Sequence, residues 1–522
     1  MEREGREPRV NRPGLPRREF LRRAGLAGMG VAGGWAWAPG SAMAKATGTL
    51  TIAQGADVTS LDPHQTQGTA GRGVMRSFLE SLLIRDQDLK VQPWLAKSYA
   101  MINPRTWEFK LRDDAVFHNG EKFTAEAVKF SIERFVDPKT RNIYAANLKP
   151  VERVEVVDPY TVRLHTALPY PSLIANLTDF LLIASPKAMR ETGEEFARKP
   201  IGTGPYRFVE WVAGERLVVQ AVDRHWTGGP WVERIVWRTI TEPAARVTAL
   251  RTGDADLIAN VPPAQVSAVS GGGMQVARTA GLGIMLLILN ASKGPLADKR
   301  VRQAINYAVN KEKIITGLYG GAARPLNGPF ATANEGFDPA APPPYPYNPD
   351  RAKQLLAEAG HAKGFKFTLI TPNGRYLNDR QVAEAAAGDL RRIGVEMEVS
   401  PLEWGAVIKE LQEKRADGFL LMQNNTDTYQ ILSTCFSSKI KGIPWLHYAN
   451  PRVDSLLDQV AQEMNEKERI ALYKELGKQI VDDAPWIFLH QQDDVYGVRD
   501  RVVNWKPKGD QIIYVFGAGV KS

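Results

Sequence analysis

The sequence predicts an α/β fold spread over more than one domain, and three observations carry that prediction. At 522 residues the chain exceeds what a single hydrophobic core usually supports. Its composition, 43% hydrophobic and 24% charged, is that of an ordinary soluble globular protein. Between Lys366 and Leu421 the apolar pattern switches repeatedly between period two and period 3.6, which is the signature of strands alternating with helices.

The first 44 residues read as an address rather than as fold. Arg17 and Arg18 precede Phe20 and Leu21, a Gly/Ala-rich apolar stretch follows, and the segment closes on Ala42-Met43-Ala44. That order matches a twin-arginine export signal, and the stretch is too short for a membrane span. Pro16 stands where Ser or Thr is usual, so the general export route stays open. Cys435 is the single cysteine, so neither an intramolecular disulfide nor a lipoprotein anchor at the cleavage point is expected. The expected location is therefore the periplasm, as a soluble monomer. Of the formal charge of +9, the first 44 residues supply eight Arg against four Glu. What is left is small and scattered, with no basic stripe interleaved with aromatics, so no nucleic-acid partner is expected.

Along the remaining chain, Leu50 and Ile52 alternate with polar residues in a first strand. Trp107, Phe109 and Leu111 mark another strand; Thr124 then opens a helix that turns Ala127, Val128, Ile132 and Phe135 inward. Residues 151–166 read as a hairpin about Asp158-Pro159. Residues 201–221 read as a turn cluster and then a strand continuing through "ERLVVQAV". "IVWRTI" is a strand, and a helix stopped by Gly253 precedes Leu257-Ile258. Asn348 caps a helix with Pro349 in its first turn and Gly360 beyond its end. In the 366–421 unit, "KFTLIT", "VEMEVS" and "GFLLM" are parallel strands, joined by helices that bury Val382, Ala386, Leu390 and Ile393 on one and begin near Trp404 on the other. The third strand is continuously apolar and should be covered on both faces.

In an open parallel sheet, ligands bind beyond the carboxyl ends of the strands. Three connectors should gather there: one with Arg375 and Tyr376, one with Trp404, and one with Asn424, Asn425, Asp427 and Tyr429. Together they offer a guanidinium, a carboxylate, amides and aromatic faces, a set suited to clamping a small polar solute. Each has a plainer reading too: a solvated arginine, a core tryptophan, and an exposed turn whose Asn and Asp side chains satisfy their own backbone. Catalytic signals are missing. The seven histidines are scattered without metal-ligand spacing, no nucleophile elbow occurs, and paired carboxylates such as Asp113-Asp114 and Asp493-Asp494 read as surface turns. No enzyme activity, cofactor or metal is expected.

Seven segments in order resemble a known family: "SLDPH", "WEFKLRDDAVFHNGEKFTAEAVKFSIER", "PIGTGPYRFVEW", "LADKRVRQAINYAVNKEKII", "YNPDRAKQLLAEAG", "IGVEMEVSPLEW" and the stretch from "YANPRVDSLLDQ" to "DDAPWIFL". They are similar to the family 5 extracellular solute-binding proteins of ABC importers, the dipeptide, oligopeptide and nickel-binding group. The resemblance implies a periplasmic-binding-protein-like fold, with two α/β lobes joined by a hinge and an additional inserted domain. Lobe I would comprise residues 45–77, 203–284 and 489–522, the insert 78–202, and lobe II 285–488. It also implies capture of a small solute or peptide and delivery to membrane permease subunits. In peptide-binding members an aspartate of the third connector holds the ligand's amino group and an arginine of the first meets its carboxylate. Here Asp427 keeps one acidic position, Asn424 replaces the other, and Arg375 stands near the arginine's place. A modified peptide, a glutathione-like compound, an opine or a short sugar all suit that set. Nickel is disfavoured by the lack of histidine in these connectors. The competing functions are an exported hydrolase and a ligand sensor for a chemoreceptor.

Overall fold

The computed structural model describes residues 46–65, 68–413, 415–439 and 447–521. The export signal read over residues 1–44 lies outside them. Two long strands, Met274–Leu289 and Trp486–Arg499, pair antiparallel from Met274 with Arg499 to Ile288 with Trp486. Every other strand of the main sheet is added outward from this pair. Beyond Met274–Leu289 come Gly418–Gln423, Phe365–Pro372 and Val395–Leu402; beyond Trp486–Arg499 come Leu257–Ile258, Thr49–Gln54, Arg234–Thr239, Arg216–Ala221 and Tyr206–Val212. The short strand Ala323–Pro325 also pairs with Trp486–Arg499.

The 366–421 reading is realised as written. Phe365–Pro372 runs parallel to both Val395–Leu402 and Gly418–Gln423, and the crossovers carry helices Asp379–Arg391 and Trp404–Gln412. Alternation then decides which core each side chain joins. Phe419 and Leu421 pack on one face with Leu286, Trp486 and Phe488. Leu420 packs on the other with Leu369, Leu287 and the helix residues Val382, Ala386 and Leu390. A strand covered on both faces has no use for polar alternation, which is why this segment reads as one apolar run.

A second, four-stranded antiparallel sheet forms within residues 96–166, in the order Ala96–Asn103, Thr106–Leu111, Thr161–Thr166, Val151–Asp158. It has its own core, with Phe109 and Leu164 against Val128, Ile132 and Phe135 of helix Ala125–Val136. Thr124 is the N-cap of that helix, but its side chain makes no capping hydrogen bond. Asn348 caps as expected, its side chain accepting from the Arg351 amide at 2.9 Å.

Residues 206–221 correct the expectation of a single continuing strand: Tyr206–Val212 and Arg216–Ala221 pair antiparallel across a turn at Gly214, where φ is +76°. Period-two alternation is the same on both arms, and a three-residue turn leaves little trace in it. Among the described residues, no helix is long and apolar enough to cross a membrane.

Leu420 is fully buried at the join of the central pair and the parallel unit. Leu420→Ala should destabilise the protein by about 2–5 kcal/mol, lost transfer energy plus a residual cavity. A urea titration should show a lower midpoint at unchanged slope; a loss below about 1 kcal/mol would contradict this packing.

Candidate functional site

The parallel register places the three connectors on one rim. In the first, Asp379 at the start of its helix is buried and collects the backbone N–H groups of Gly374 at 3.2 Å, Arg375 at 2.9 Å and Tyr376 at 3.1 Å. That carboxylate holds the loop in one shape. The Arg375 guanidinium lies 3.8 Å from the centre of the Trp404 ring, and its Nε donates to the Tyr376 hydroxyl at 3.2 Å. The Tyr376 and Trp404 rings meet edge to face, with centroids 6.5 Å apart. Burial raises the Tyr376 phenol above its ordinary pKa, with Arg375 opposing. Arg375 is exposed and forms no ion pair among the described residues. A stacked guanidinium of this kind keeps most of its donors for another acceptor.

The third connector divides its labour. Asn425 serves local structure: its Oδ1 accepts from the Asp427 amide at 2.9 Å and its Nδ2 donates to Gln430 Oε1 at 2.6 Å. Asp427 is the N-cap of helix Thr428–Phe436, accepting from the Tyr429 amide at 2.9 Å. Only one of its carboxylate oxygens is used so; Oδ2 is buried and makes no hydrogen bond of ordinary length and angle, with the Ser172 hydroxyl close by. Burial pushes the Asp427 carboxyl up to about 6, with Asp179 adding and the Ser172 hydroxyl and the cap amides opposing. Tyr429 is half-buried beside the Leu432 and Phe436 core.

Other side chains of the connector reach chain-distant partners. Asn424 Nδ2 donates to Gln511 Oε1 at 2.9 Å. The Thr426 hydroxyl donates to Asp179, and Gln430 Nε2 donates to Asn147 Oδ1 at 3.2 Å. Behind Asp179 stands a cluster that the sequence did not suggest. Arg85 binds Asp179 through two hydrogen bonds, at 2.8 and 2.7 Å, and receives the Lys508 ammonium on its backbone carbonyl. Lys508 also lies 3.6 Å from the Tyr514 ring centre, with Arg76 at 5.8 Å. Although burial opposes it, Arg85 holds Asp179 below the usual carboxylate range. Burial lowers Lys508 to about 8 and raises Asp510 beside it. These residues come from three distant segments, at Arg76 and Arg85, at Asp179, and from Lys508 to Tyr514, so no local pattern announces them.

The structure thus brings Arg375, Tyr376 and Trp404 into contact. It sets Asn424 against the C-terminal segment, and Thr426 and Gln430 against residues 147–179. Asp427 is joined to the Arg375 stack by no hydrogen bond or ion pair among the described residues. No group of three His, Cys, Asp or Glu among those residues could hold a metal ion.

The raised Asp427 carboxyl yields a signed prediction. A folded-state pKa above the ordinary 3.8 means the native protein holds this proton more tightly than the unfolded chain does. The burial penalty is therefore absent at pH 3, grows between about 4 and 6, and is complete above that, at roughly 3 kcal/mol. Asp427→Asn keeps the cap and removes the charge, so its melting temperature should exceed the wild type's at pH 7.5 and match it near pH 4. Equal melting temperatures at both pH values would refute a strained carboxylate.

Residues 90–442 match the family described as bacterial extracellular solute-binding proteins, family 5 Middle. The glutathione-binding protein GsiB of Pectobacterium atrosepticum is 30% identical over 458 residues, 84% of this chain and 87% of that protein. DppA of Helicobacter pylori, an ABC transporter-associated periplasmic binding protein in complex with the peptide STSA, matches with a TM-score of 0.78 at 27% identity, over 91% of this chain and 98% of that one. AgaA from A. tumefaciens R10, in complex with agropinic acid, matches with a TM-score of 0.77 at 25% identity, over 91% and 99% of the two chains. Likeness of sequence and of sheet agree across nearly the whole described chain, and the chain belongs to the family 5 bacterial extracellular solute-binding proteins, the non-catalytic solute-capturing components of ABC importers.

Proposed function

We propose that this protein captures a peptide-like solute bearing both an ammonium and a carboxylate, closes over it, and presents it to permease subunits in the inner membrane. One observation carries the reading. A buried carboxylate oxygen without a hydrogen bond of ordinary length and angle, on Asp427, and a stacked guanidinium without a carboxylate, on Arg375, stand on one rim of one sheet. The ammonium would go to Asp427 and the carboxylate to Arg375, with Tyr376, Trp404, Asn424, Asn425 and Tyr429 supplying amide and aromatic contacts. The ligands of the relatives, glutathione, a peptide and agropinic acid, belong to the same chemical class of amino- or carboxyl-bearing small solutes.

Closure on this reading is a hinge motion of lobe I and its insert against lobe II, about the strand pair Met274–Leu289 and Trp486–Arg499. The links from Thr426 to Asp179, Gln430 to Asn147 and Asn424 to Gln511 would be made on closing. Export through the twin-arginine segment at residues 1–44, without lipid attachment, would place the protein in the periplasm as a soluble monomer.

The test is calorimetry of residues 45–522 against glutathione, the peptide Ser-Thr-Ser-Ala and agropinic acid. At least one should bind and raise the melting temperature, and Arg375→Ala and Asp427→Asn should each weaken it by about 10- to 100-fold. Because an ammonium prefers ionised Asp427, affinity for an amine-bearing solute should fall below about pH 6, by up to tenfold per pH unit, and Asp427→Asn should flatten that slope. Binding indifferent to both substitutions would sink these assignments, and a panel without any binder would sink the peptide-like class.

A further inference from the structure

The central strand pair loses register between Ala280 and Ile284. There Gln492 and Asp494, two apart on Trp486–Arg499, share one face and are 7% and 2% exposed, so Asp493-Asp494 is part of a buried strand and not the surface turn that its sequence suggests. Asp494 Oδ1 accepts from Gln511 Nε2 at 2.8 Å, but its Oδ2 has no hydrogen-bond partner, and neither has Gln492 Oε1. The neighbouring Asp493 differs sharply, since both Arg278 and Arg324 bind its carboxylate. One strand therefore carries adjacent acids, of which one has two guanidinium partners and the other has none.

Two glycines pack closely against this pair. A Cβ on Gly281 would come 2.7 Å from Asp494 Oδ1, and one on Gly283 would come 3.1 Å from Met422 Sδ and 3.3 Å from Gln492 Cγ. The pair is also continuous with the rim. Gln511 bridges Asp494 to Asn424. Gln492 lies beside Met422, whose backbone N–H faces the Tyr376 phenol oxygen. The titratable groups facing Asp494 are Asp493 on its own strand, Asp510 from the C-terminal segment and the Tyr496 phenol; burial, aided by Asp510 and Asp493, holds the Asp494 carboxyl well above the usual range. Lys508, next to Asp510, already donates to the Arg85 carbonyl. A buried acceptor without a donor is disfavoured, and a carboxylate most of all.

From this we infer that Gln492 and Asp494 form a second subsite of the cleft, for a cationic donor such as the ammonium or guanidinium of a basic side chain. The preferred solute is then a peptide-like molecule with a lysine- or arginine-type side chain in addition to its terminal ammonium, which presupposes that the protein captures such solutes as proposed.

The test compares Ala-Arg with Ala-citrulline, and Ala-Lys with Ala-norleucine, by calorimetry on the wild type and on the near-isosteric Asp494→Asn. The wild type should favour each basic dipeptide over its neutral partner by about tenfold or more, and Asp494→Asn should cut that preference below about threefold. Basic dipeptides should also release more protons on binding at pH 7 than their neutral partners do, seen by comparing phosphate with Tris buffer, and Asp494→Asn should erase that difference. A structural role alone would leave that proton count unmoved. Equal affinity for basic and neutral partners, or a preference that survives Asp494→Asn, overturns the subsite and leaves capture standing. The subsite is likewise overturned, with capture intact, if glutathione, Ser-Thr-Ser-Ala or agropinic acid binds and all four dipeptides fail; failure of both panels overturns subsite and capture together.

Discussion

The whole arrangement depends on the pairing of Met274–Leu289 with Trp486–Arg499. Their ladder is the spine of the main sheet, and both halves of that sheet are added to it strand by strand. At one end it buries Trp486, Ile487 and Phe488 among the side chains of the parallel unit; at the other, Tyr496 and Val498 join the core of Leu50, Ile52 and Ile235. Between these cores lies the irregular stretch at Ala280 to Ile284, with glycines at 281 and 283. A ladder interrupted at its middle and packed at both ends is a sound place for a bend, because the cores stay intact while the unpaired backbone adjusts.

What crosses between the two sides near the rim is polar. The Thr426, Gln430 and Asn424 links are single hydrogen bonds, each worth about 0.5–1.5 kcal/mol net. Their sum is a few kcal/mol, the scale on which a micromolar solute, at roughly −8 kcal/mol, can decide between two arrangements. The acceptor at the centre of one link is prepared in advance: Arg85 grips Asp179 through both carboxylate oxygens, so Thr426 meets an oriented partner. An apolar contact of similar extent would be neither so directional nor so readily reversed.

Much of this is legible in the sequence, for a definite reason. Strand and helix periods, the glycine stops and the Asn348 cap are local signals, and the parallel unit at 366–421 follows from them. The same reasoning puts Arg375, Tyr376 and Trp404 on one rim, since a parallel strand order leaves no other place for them. Sequence reasoning fails where local signals are ambiguous or absent. Alternation looks alike on the two arms of the hairpin at Gly214. In the polar run after Gly418–Gln423, Asn425 and one oxygen of Asp427 are engaged in turning and capping the backbone, which is the plainer of the readings open to them. Asp179, Gln511 and Asp494 lie far along the chain from the connector they serve, and long-range pairing leaves no local trace.

Under the hinge closure proposed above, the unpartnered groups would keep capture from closing on nothing. Asp427 Oδ2, Asp494 Oδ2 and Gln492 Oε1 are buried acceptors without hydrogen bonds of ordinary length and angle. Each would be hydrated if the two sides stood apart, so bringing the sides together strips water from it at about 1–3 kcal/mol. That penalty is of the same order as the gain from the crossing hydrogen bonds, and it opposes closure by the protein alone. On the proposed reading, a solute that supplied donors at those oxygens would convert the penalty into charge-assisted hydrogen bonds in a medium of low dielectric. One that lacked them would gain only the proposed aromatic contacts at Tyr376 and Trp404. Selectivity on this account lies less in the attraction of the open form for its solute than in the cost of closing over the wrong one.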